Sequence, residues 1–163
     1  PMTSLNPTQT VGNQILEVLN LHFPEMSRTE KVKRVDEMMT LVGIPPERKN
    51  SYPHEFSGGM KQRIVIAMAL VAEPELLLAD EPTTALDTET SKKIFDMLSA
   101  ENRENGKTIL MITHDVKKAF YADKAVVIND GRIAESGTPE ELQKNDGLFN
   151  TLLTAQAARN NEQ

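Results

Sequence analysis

The sequence predicts an α/β fold in which an all-helical subdomain precedes a set of parallel strands. Two observations lead to this prediction. Apolar side chains recur at helical spacing over residues 3–73, whereas residues 74–136 alternate short apolar runs with helical segments and end in a hairpin signal. We therefore expect a helical domain over residues 1–73 and a strand-bearing domain, with a helical tail, over residues 74–163.

Three helices are expected in the first domain. The first repeats an apolar residue at every fourth position, the second follows a capping box and stops at a glycine, and the third begins at paired glycines. A proline-rich loop separates the last two. The residues that mark these elements are Val11, Ile15, Leu19, Ser27, Glu30, Gly43, Pro45, Pro46, Pro53 and Gly58.

Two short apolar runs in the second domain predict strands. Leu76–Ala79 and Thr108–Ile112 are apolar on both faces, which is typical of buried parallel strands. A helix capped by Asp87 and closed by Gly106 connects them. The remaining expected elements are a short helix over Asp115–Tyr121, a hairpin at Asn129-Asp130-Gly131, a capped helix after Thr138 and an amphipathic helix around Leu148.

Composition narrows the classes of function. The chain has 18 basic and 24 acidic residues, for a net charge of −6, which argues against nucleic acid binding through a basic face. The absence of cysteine excludes disulfides and thiolate metal sites. No apolar run reaches the roughly 20 residues of a membrane span, and the first residues do not resemble a secretion signal. These features predict a soluble, cytoplasmic protein.

The first candidate site is Ser57-Gly58-Gly59. Small residues at a helix start allow a phosphate to approach the backbone N–H groups, and the helix dipole adds positive potential there. Lys61 and Arg63 follow in the first turn, where cations are unfavourable unless an anion is present. Taken alone, the short motif favours the simpler interpretation, a glycine turn with a serine cap.

The second candidate site consists of acidic residues and a histidine at strand ends. Asp80 would lie at the carboxyl end of a parallel strand, where α/β proteins bind ligands, and could hold Mg²⁺. Glu81 could orient or deprotonate a water molecule, and His114 could contact a phosphate if the two strands are parallel neighbours. The alternatives are a carboxylate pair that caps a loop and a surface histidine, with Asp115 as the cap of the next helix.

The order of these motifs is more specific than any one of them. In this order, the chain resembles the nucleotide-binding domain of ATP-binding-cassette (ABC) transporters. Phe56–Arg63 resembles the signature motif of that family, and Leu76–Glu81 resembles its Walker B strand. Ala85-Leu86-Asp87 resembles the D-loop, and His114 the switch histidine. The resemblance covers almost the whole chain and implies part of a P-loop NTPase core plus the helical subdomain.

The resemblance implies a role for each matching residue. Two cassettes would face each other head to tail, with each ATP between the phosphate loop of one and the signature motif of the other. Glu81 would be the general base and Asp80 would support Mg²⁺. The nucleotide contacts would be Ser57, Gly58, Gly59 and Met60, His114 would sense the γ-phosphate, and Asp87 would contact the partner cassette.

The partners follow from the same resemblance. They are a second nucleotide-binding domain, identical or paralogous, and transmembrane permease subunits that dock on the helical subdomain at the cytoplasmic face of the cell membrane. Segments Pro1–Pro7 and Tyr52–Phe56 resemble the peptide and nickel importer branch, which implies import. The tail departs from that branch, because it lacks a His-Pro-Tyr-Thr segment.

One part of the family's machinery does not occur in the 163 residues. There is no Gly-x-x-x-x-Gly-Lys-Ser/Thr loop, which would lie upstream of Pro1. We therefore expect that this chain alone neither binds ATP tightly nor hydrolyses it, and that an uncovered apolar sheet surface promotes association. The alternatives are a non-catalytic truncated cassette that acts as an interaction module, and a soluble cassette in DNA repair or translation.

Overall fold

The computed structural model describes residues 5–160. For Asn160 it describes the backbone and not the side chain. Residue contacts divide the chain into two compact units, residues 1–111 and 112–163. The domain limit expected after residue 73 stays a prediction. Residues 1–4 of the importer-like segment and the polar end from residue 161 lie outside the described part.

The first unit begins with the three expected helices. They are α1 (Val11–His22), α2 (Arg28–Leu41) and α3 (Gly58–Val71). The proline-rich segment between α2 and α3 forms two 3₁₀ turns, Pro46–Asn50 and Pro53–Glu55, each with a proline near its start. The fixed φ of proline suits the first position of such a turn.

These helices form the core of the first unit. α2 begins with the predicted capping box, in which Ser27 accepts from the Glu30 N–H and the Glu30 side chain accepts from the Ser27 N–H. Gly43 follows α2 at φ +68°, the left-handed conformation that favours glycine after a helix. The largest fully buried apolar side chains of the unit are Ile15, Leu19, Met39, Ile44, Ile64, Val11 and Val71.

A pair of parallel strands follows the helical core. β1 (Leu76–Asp80) and β2 (Thr108–Ile112) are hydrogen-bonded neighbours, and α4 (Thr88–Asn105) connects them. This strand–helix–strand arrangement agrees with the α/β class predicted from the sequence. The carboxyl end of β1 leads into residues 80–87, which carry most of the candidate site.

The prediction that both strands are buried on two faces was wrong. Leu77 is only 9% exposed and belongs to the core with Ile94 of α4, whereas Leu76, Leu78 and Leu110 are 53%, 68% and 55% exposed. Successive side chains of a strand point to opposite faces, so one covered face buries only every second residue. Within the described residues, the opposite face of this sheet is open, which agrees with the expected uncovered apolar sheet surface.

The second unit contains a hairpin and two helices. Its elements are a 3₁₀ helix (Val116–Tyr121), β3 (Ala125–Asn129), β4 (Arg132–Gly137), α5 (Pro139–Lys144) and α6 (Leu148–Asn160). The short helix expected from Asp115 is therefore 3₁₀. No helix in the described part of the chain is both long and apolar enough to cross a bilayer.

The hairpin has the turn that its sequence predicts. β3 and β4 pair antiparallel, and Asp130 and Gly131 between them have φ values of +48° and +70°. Two consecutive left-handed residues characterise the type I′ turn, which matches the twist of the flanking strands. The Asn-Asp-Gly signal was therefore sufficient to place this hairpin.

Candidate functional site

The serine–glycine tip, defined as Ser57, Gly58 and Gly59, forms the start of α3. Ser57 is the N-cap, and its Oγ accepts a hydrogen bond from the Met60 N–H at 3.3 Å. The hydroxyl proton of Ser57 can still be donated to an anion. The N–H groups of a first helical turn have no partner inside the helix, so the tip can bind a phosphate group.

Gly59 brings the tip against the acidic loop, defined as residues 80–87. A Cβ atom on Gly59 would lie 3.1 Å from the Ala85 carbonyl oxygen and 3.1 Å from Leu86 Cδ2. A side chain at this position would push against the backbone of the loop. The glycine is therefore needed for close packing, and the two motifs that the sequence analysis selected separately lie in contact.

Glu81 has an unusual backbone conformation within the acidic loop. Its φ is +46°, a left-handed value that non-glycine residues seldom adopt. Hydrogen bonds from Thr84 hold it, because the Thr84 N–H donates to the Glu81 carbonyl oxygen at 3.4 Å and Oγ1 to its Oε2 at 3.2 Å. Strain of this kind is often found at functional sites. Asp80, at the end of β1, is exposed.

Gln62 joins α3 to the acidic loop. Its Nε2 donates to the Glu81 carbonyl oxygen at 3.2 Å, and its Oε1 accepts from the Ala85 N–H at 3.2 Å. No role was predicted for Gln62. The sequence shows only that Gln62 shares a helix face with Gly59, because the two are three residues apart, and it does not indicate the hydrogen-bond partners.

Asp87 ends the acidic loop and is the N-cap of α4, as predicted. Its Oδ1 accepts from the Thr90 N–H at 2.9 Å and its Oδ2 from the Thr90 hydroxyl at 2.7 Å. The bond from the Thr90 N–H, followed by the bond from its hydroxyl, lowers the pKa of the Asp87 carboxyl below its ordinary value. The side chain is therefore ionised at neutral pH and fixed at the start of the helix.

Other side chains in the signature-like segment contribute to structure. Met60 is half-buried and packs against the core of the first unit. Arg63 Nη1 donates to the carbonyl oxygens of Val42 and Gly43 at 3.0 and 2.8 Å. This cation near the start of α3 therefore caps the end of α2, where the dipole favours positive charge.

His114 belongs to the second unit, and Glu81 belongs to the first. The carbonyl oxygen of His114 accepts from Gln156 Nε2 at 2.7 Å. Asp115 caps the following 3₁₀ helix through a 3.2 Å bond from the Lys117 N–H, as the sequence predicted. The roles assigned to His114 and Glu81, and their proximity across the sheet edge, stay predictions.

Comparisons with known proteins identify the class. A family model described as "ABC transporter" matches residues 2–84, which is half of the chain, so the chain belongs to the ABC transporter family. The dimeric structure of a bacterial ABC transporter cassette superimposes with a TM-score of 0.76 and 34% identity, over 83% of this chain and 59% of that one. The same values hold for a cassette dimer in a post-hydrolysis state bound to ADP and Pi. The predicted fold class is confirmed.

Curated relatives are peptide transport proteins by name. The oligopeptide transport ATP-binding protein OppD of Bacillus subtilis is 50% identical over 145 residues, 87% of this chain and 40% of that protein. The dipeptide transport ATP-binding protein DppD of Lactococcus lactis is 47% identical over 167 residues, 97% of this chain and 48% of that protein. The chain spans less than half the length of these relatives.

Proposed function

We propose that the chain is the signature-bearing part of the ATP-binding subunit of a peptide importer. The observation that carries the proposal is the contact between the serine–glycine tip and the acidic loop, where a Cβ atom on Gly59 would lie 3.1 Å from Ala85 and from Leu86. The names of the relatives add peptide transport to this geometry. They also favour transport over DNA repair or translation.

The tip would bind the terminal phosphate of a nucleotide held mainly by a partner cassette. Ser57 would donate its hydroxyl proton, and the N–H groups of Gly58 and Gly59 would add backbone donors at the positive end of α3. Met60 would contribute its main chain, since its side chain packs into the core. The dimeric state of the solved cassette relatives supports this two-protomer arrangement.

The acidic loop would supply the chemistry. Glu81 would accept the proton of a water molecule as that water attacks the γ-phosphorus, and the bond from phosphorus to the leaving ADP oxygen would break. His114 would contact the γ-phosphate, and Asp87 would contact the partner cassette. The main-chain bonds to Glu81 would fix the direction of its carboxylate before ATP binds.

Asp80 fits the requirements of a Mg²⁺ site. Mg²⁺ usually takes one or two carboxylates and completes its coordination with water and substrate phosphates. Asp80 is an exposed carboxylate at a strand end and would provide one of these ligands. The ion would neutralise charge on the phosphates.

The other partners belong to the same proposal. The helical subdomain would dock on permease subunits, so the protein would lie at the cytoplasmic face of the membrane. Peptides are the proposed cargo, and nickel is the alternative from the same branch. Uptake of a labelled peptide, compared with uptake of nickel, by a strain with and without the gene would distinguish these two cargoes.

The test is ATP hydrolysis by the complete gene product with its permease. We expect Glu81→Gln to lower kcat for MgATP by about 10²–10⁴-fold, the usual contribution of a general base. Glu140→Gln is the matched control, because Glu140 is an exposed carboxylate on α5 and belongs to none of the motifs selected for the site. Equal activity of wild type and Glu81→Gln would contradict the proposal.

The 163-residue chain by itself is proposed to be inactive. A phosphate loop supplies most of the ground-state binding of ATP in P-loop proteins, and these residues contain none. Turnover by the purified 163-residue chain that Glu81→Gln abolishes would contradict this part of the proposal.

A further inference from the structure

Both the nitrogen and the oxygen of the Gln62 side-chain amide form hydrogen bonds with the acidic loop. The nitrogen donates to the carbonyl oxygen of Glu81 and the oxygen accepts from the N–H of Ala85, four residues later, at 3.2 Å in each case. The half-buried amide therefore closes the loop around the left-handed backbone of Glu81. A main-chain group in a strained conformation needs such support, because the strain persists only when the surroundings hold it.

Gln156 makes the same pair of bonds in the second unit. Its Nε2 donates to the carbonyl oxygen of His114 at 2.7 Å, and its Oε1 accepts from the Val116 N–H at 3.0 Å. The side chain comes from α6, about 40 residues further along the chain. In each unit, a glutamine from a helix thus bridges the carbonyl of a proposed catalytic residue and an N–H shortly after it.

We propose that Gln62 and Gln156 are positioning residues, which hold the main chain of Glu81 and of His114 in the conformation that catalysis requires. This inference rests on the proposed function for the roles of Glu81 and His114. Neither glutamine needs to touch the nucleotide. Each fixes the backbone from which the reacting side chain extends, so misplacement would lower the rate of the chemical step.

Gln62 also ties the acidic loop to the serine–glycine tip. Gln62 lies on α3, and the tip forms the start of the same helix. Arg63, also on α3, donates hydrogen bonds to two carbonyl oxygens at the end of α2. A rigid helix that carries the tip and the amide of Gln62 keeps Glu81 at a constant position relative to the tip. Loss of Gln62 should therefore affect Glu81 more than nucleotide affinity.

The first experiment measures amide hydrogen exchange by NMR in the 163-residue chain, so it requires no activity. Gln62→Ala should accelerate exchange at Ala85 by about fivefold, the value of one ordinary hydrogen bond, and leave Val116 unchanged. Gln156→Ala should do the reverse. Gln62→Glu keeps an acceptor for Ala85 and removes the donor to Glu81, so exchange at Ala85 should stay within about twofold of wild type.

The second experiment measures MgATP hydrolysis by the complete gene product. Gln62→Ala, Gln62→Glu and Gln156→Ala should each lower kcat about tenfold or more, with KM for ATP changed less than about twofold, because the groups that contact nucleotide remain. Gln143→Ala is the matched control, since Gln143 is an exposed glutamine on α5. It should leave kcat, KM and exchange unchanged.

The outcomes separate the two proposals. Unchanged exchange at Ala85 in Gln62→Ala, or at Val116 in Gln156→Ala, would overturn the inference for that residue. Altered exchange with normal kcat would also overturn it, because the bonds would then be structural only. No hydrolysis by the wild-type gene product would overturn the proposed function, and with it the positioning role, while the exchange rates would still decide whether the bridges exist.

Discussion

At the scale of single residues, the Asp87 carboxylate connects the acidic loop to α4. Both of its oxygens accept hydrogen bonds from Thr90, one from the backbone and one from the hydroxyl. Hydrogen bonds to the ionised form lower a carboxyl pKa, and here the backbone bond is the largest cause. The proposed contact of Asp87 with a partner cassette would therefore come from a preset, charged side chain.

This geometry predicts a specific pH dependence. Because the pKa of Asp87 is lower in the folded state, its contribution to stability is present above the unfolded pKa and is lost as pH falls through the folded pKa. Carboxyl ¹³C titration should give a lower pKa for Asp87 in the folded chain than in urea. An equal pKa in both states would refute the prediction.

Thr90→Val separates the two largest causes of the lowered Asp87 pKa. The variant removes the hydroxyl donor and keeps the backbone donor, so the pKa of Asp87 should rise only part of the way toward the unfolded value. Thr88→Val is the control, because Thr88 is a neighbouring threonine on the first turn of α4 and is exposed. It should leave the titration of Asp87 unchanged.

At the scale of elements, α6 begins at a cap that comes from another element. The Glu135 carboxylate, on β4, accepts hydrogen bonds from the N–H groups of Leu148 and Phe149, the first two residues of α6. An anion at a helix start pairs with free N–H groups and with the positive end of the helix dipole. Phe149 is buried, so the cap also places a core side chain of the second unit.

We expect Glu135→Ala to destabilise the second unit by about 1–2 kcal/mol, because the two N–H groups lose a charged acceptor. Urea unfolding would measure the loss, and faster exchange at Leu148 and Phe149 would locate it. Glu140→Ala removes an exposed carboxylate on α5 and serves as the control. Equal effects of the two variants would show that Glu135 does not act as a cap.

The elements that could be predicted from the sequence have local signals. Ser27 and Glu30 are three residues apart, and so are Thr138 and Glu141, so each capping box can be found in a short window. Asn129-Asp130-Gly131 fixed the hairpin for the same reason. Glu135, by contrast, caps a helix that starts 13 residues later, and no local pattern marks such a pair.

The same distinction applies to the candidate site. Ser57, Glu81 and Asp87 stand in recognisable motifs, so their selection required only the sequence. Gln62 and Gln156 act on groups 19 to 42 residues away, and a glutamine within a helix has no pattern that indicates its partner. Side-chain bridges of this kind depend on tertiary structure.

At the scale of the whole molecule, the β1–β2 sheet exposes apolar side chains on one of its faces. The sequence analysis predicted buried strands because an all-apolar run fits a strand covered on both faces. An apolar run does not indicate whether other residues of the same chain cover each face of the strand. On one face of the sheet, Leu77 belongs to the core of the first unit. Leu76, Leu78 and Leu110 are more than half exposed, and we define these three side chains as the open sheet face.

The open sheet face should make the 163-residue chain associate. Three leucines on adjacent strands are each more than half exposed, and burial of such side chains is favourable by about 1 kcal/mol or more each. Sedimentation velocity should therefore show dimers or larger species whose proportion rises with protein concentration. A single monomeric species across the concentration series would contradict this expectation.

Two single variants show whether this surface is responsible. Leu78→Glu introduces a charge at the most exposed leucine of the open sheet face and should weaken association at least about tenfold, since an unpaired charge is costly to bury. Leu21→Glu is the matched control, because Leu21 is 77% exposed but lies on α1, outside the sheet. If Leu21→Glu weakened association as much as Leu78→Glu, overall charge would be the cause, and the open sheet face would not be the contact surface.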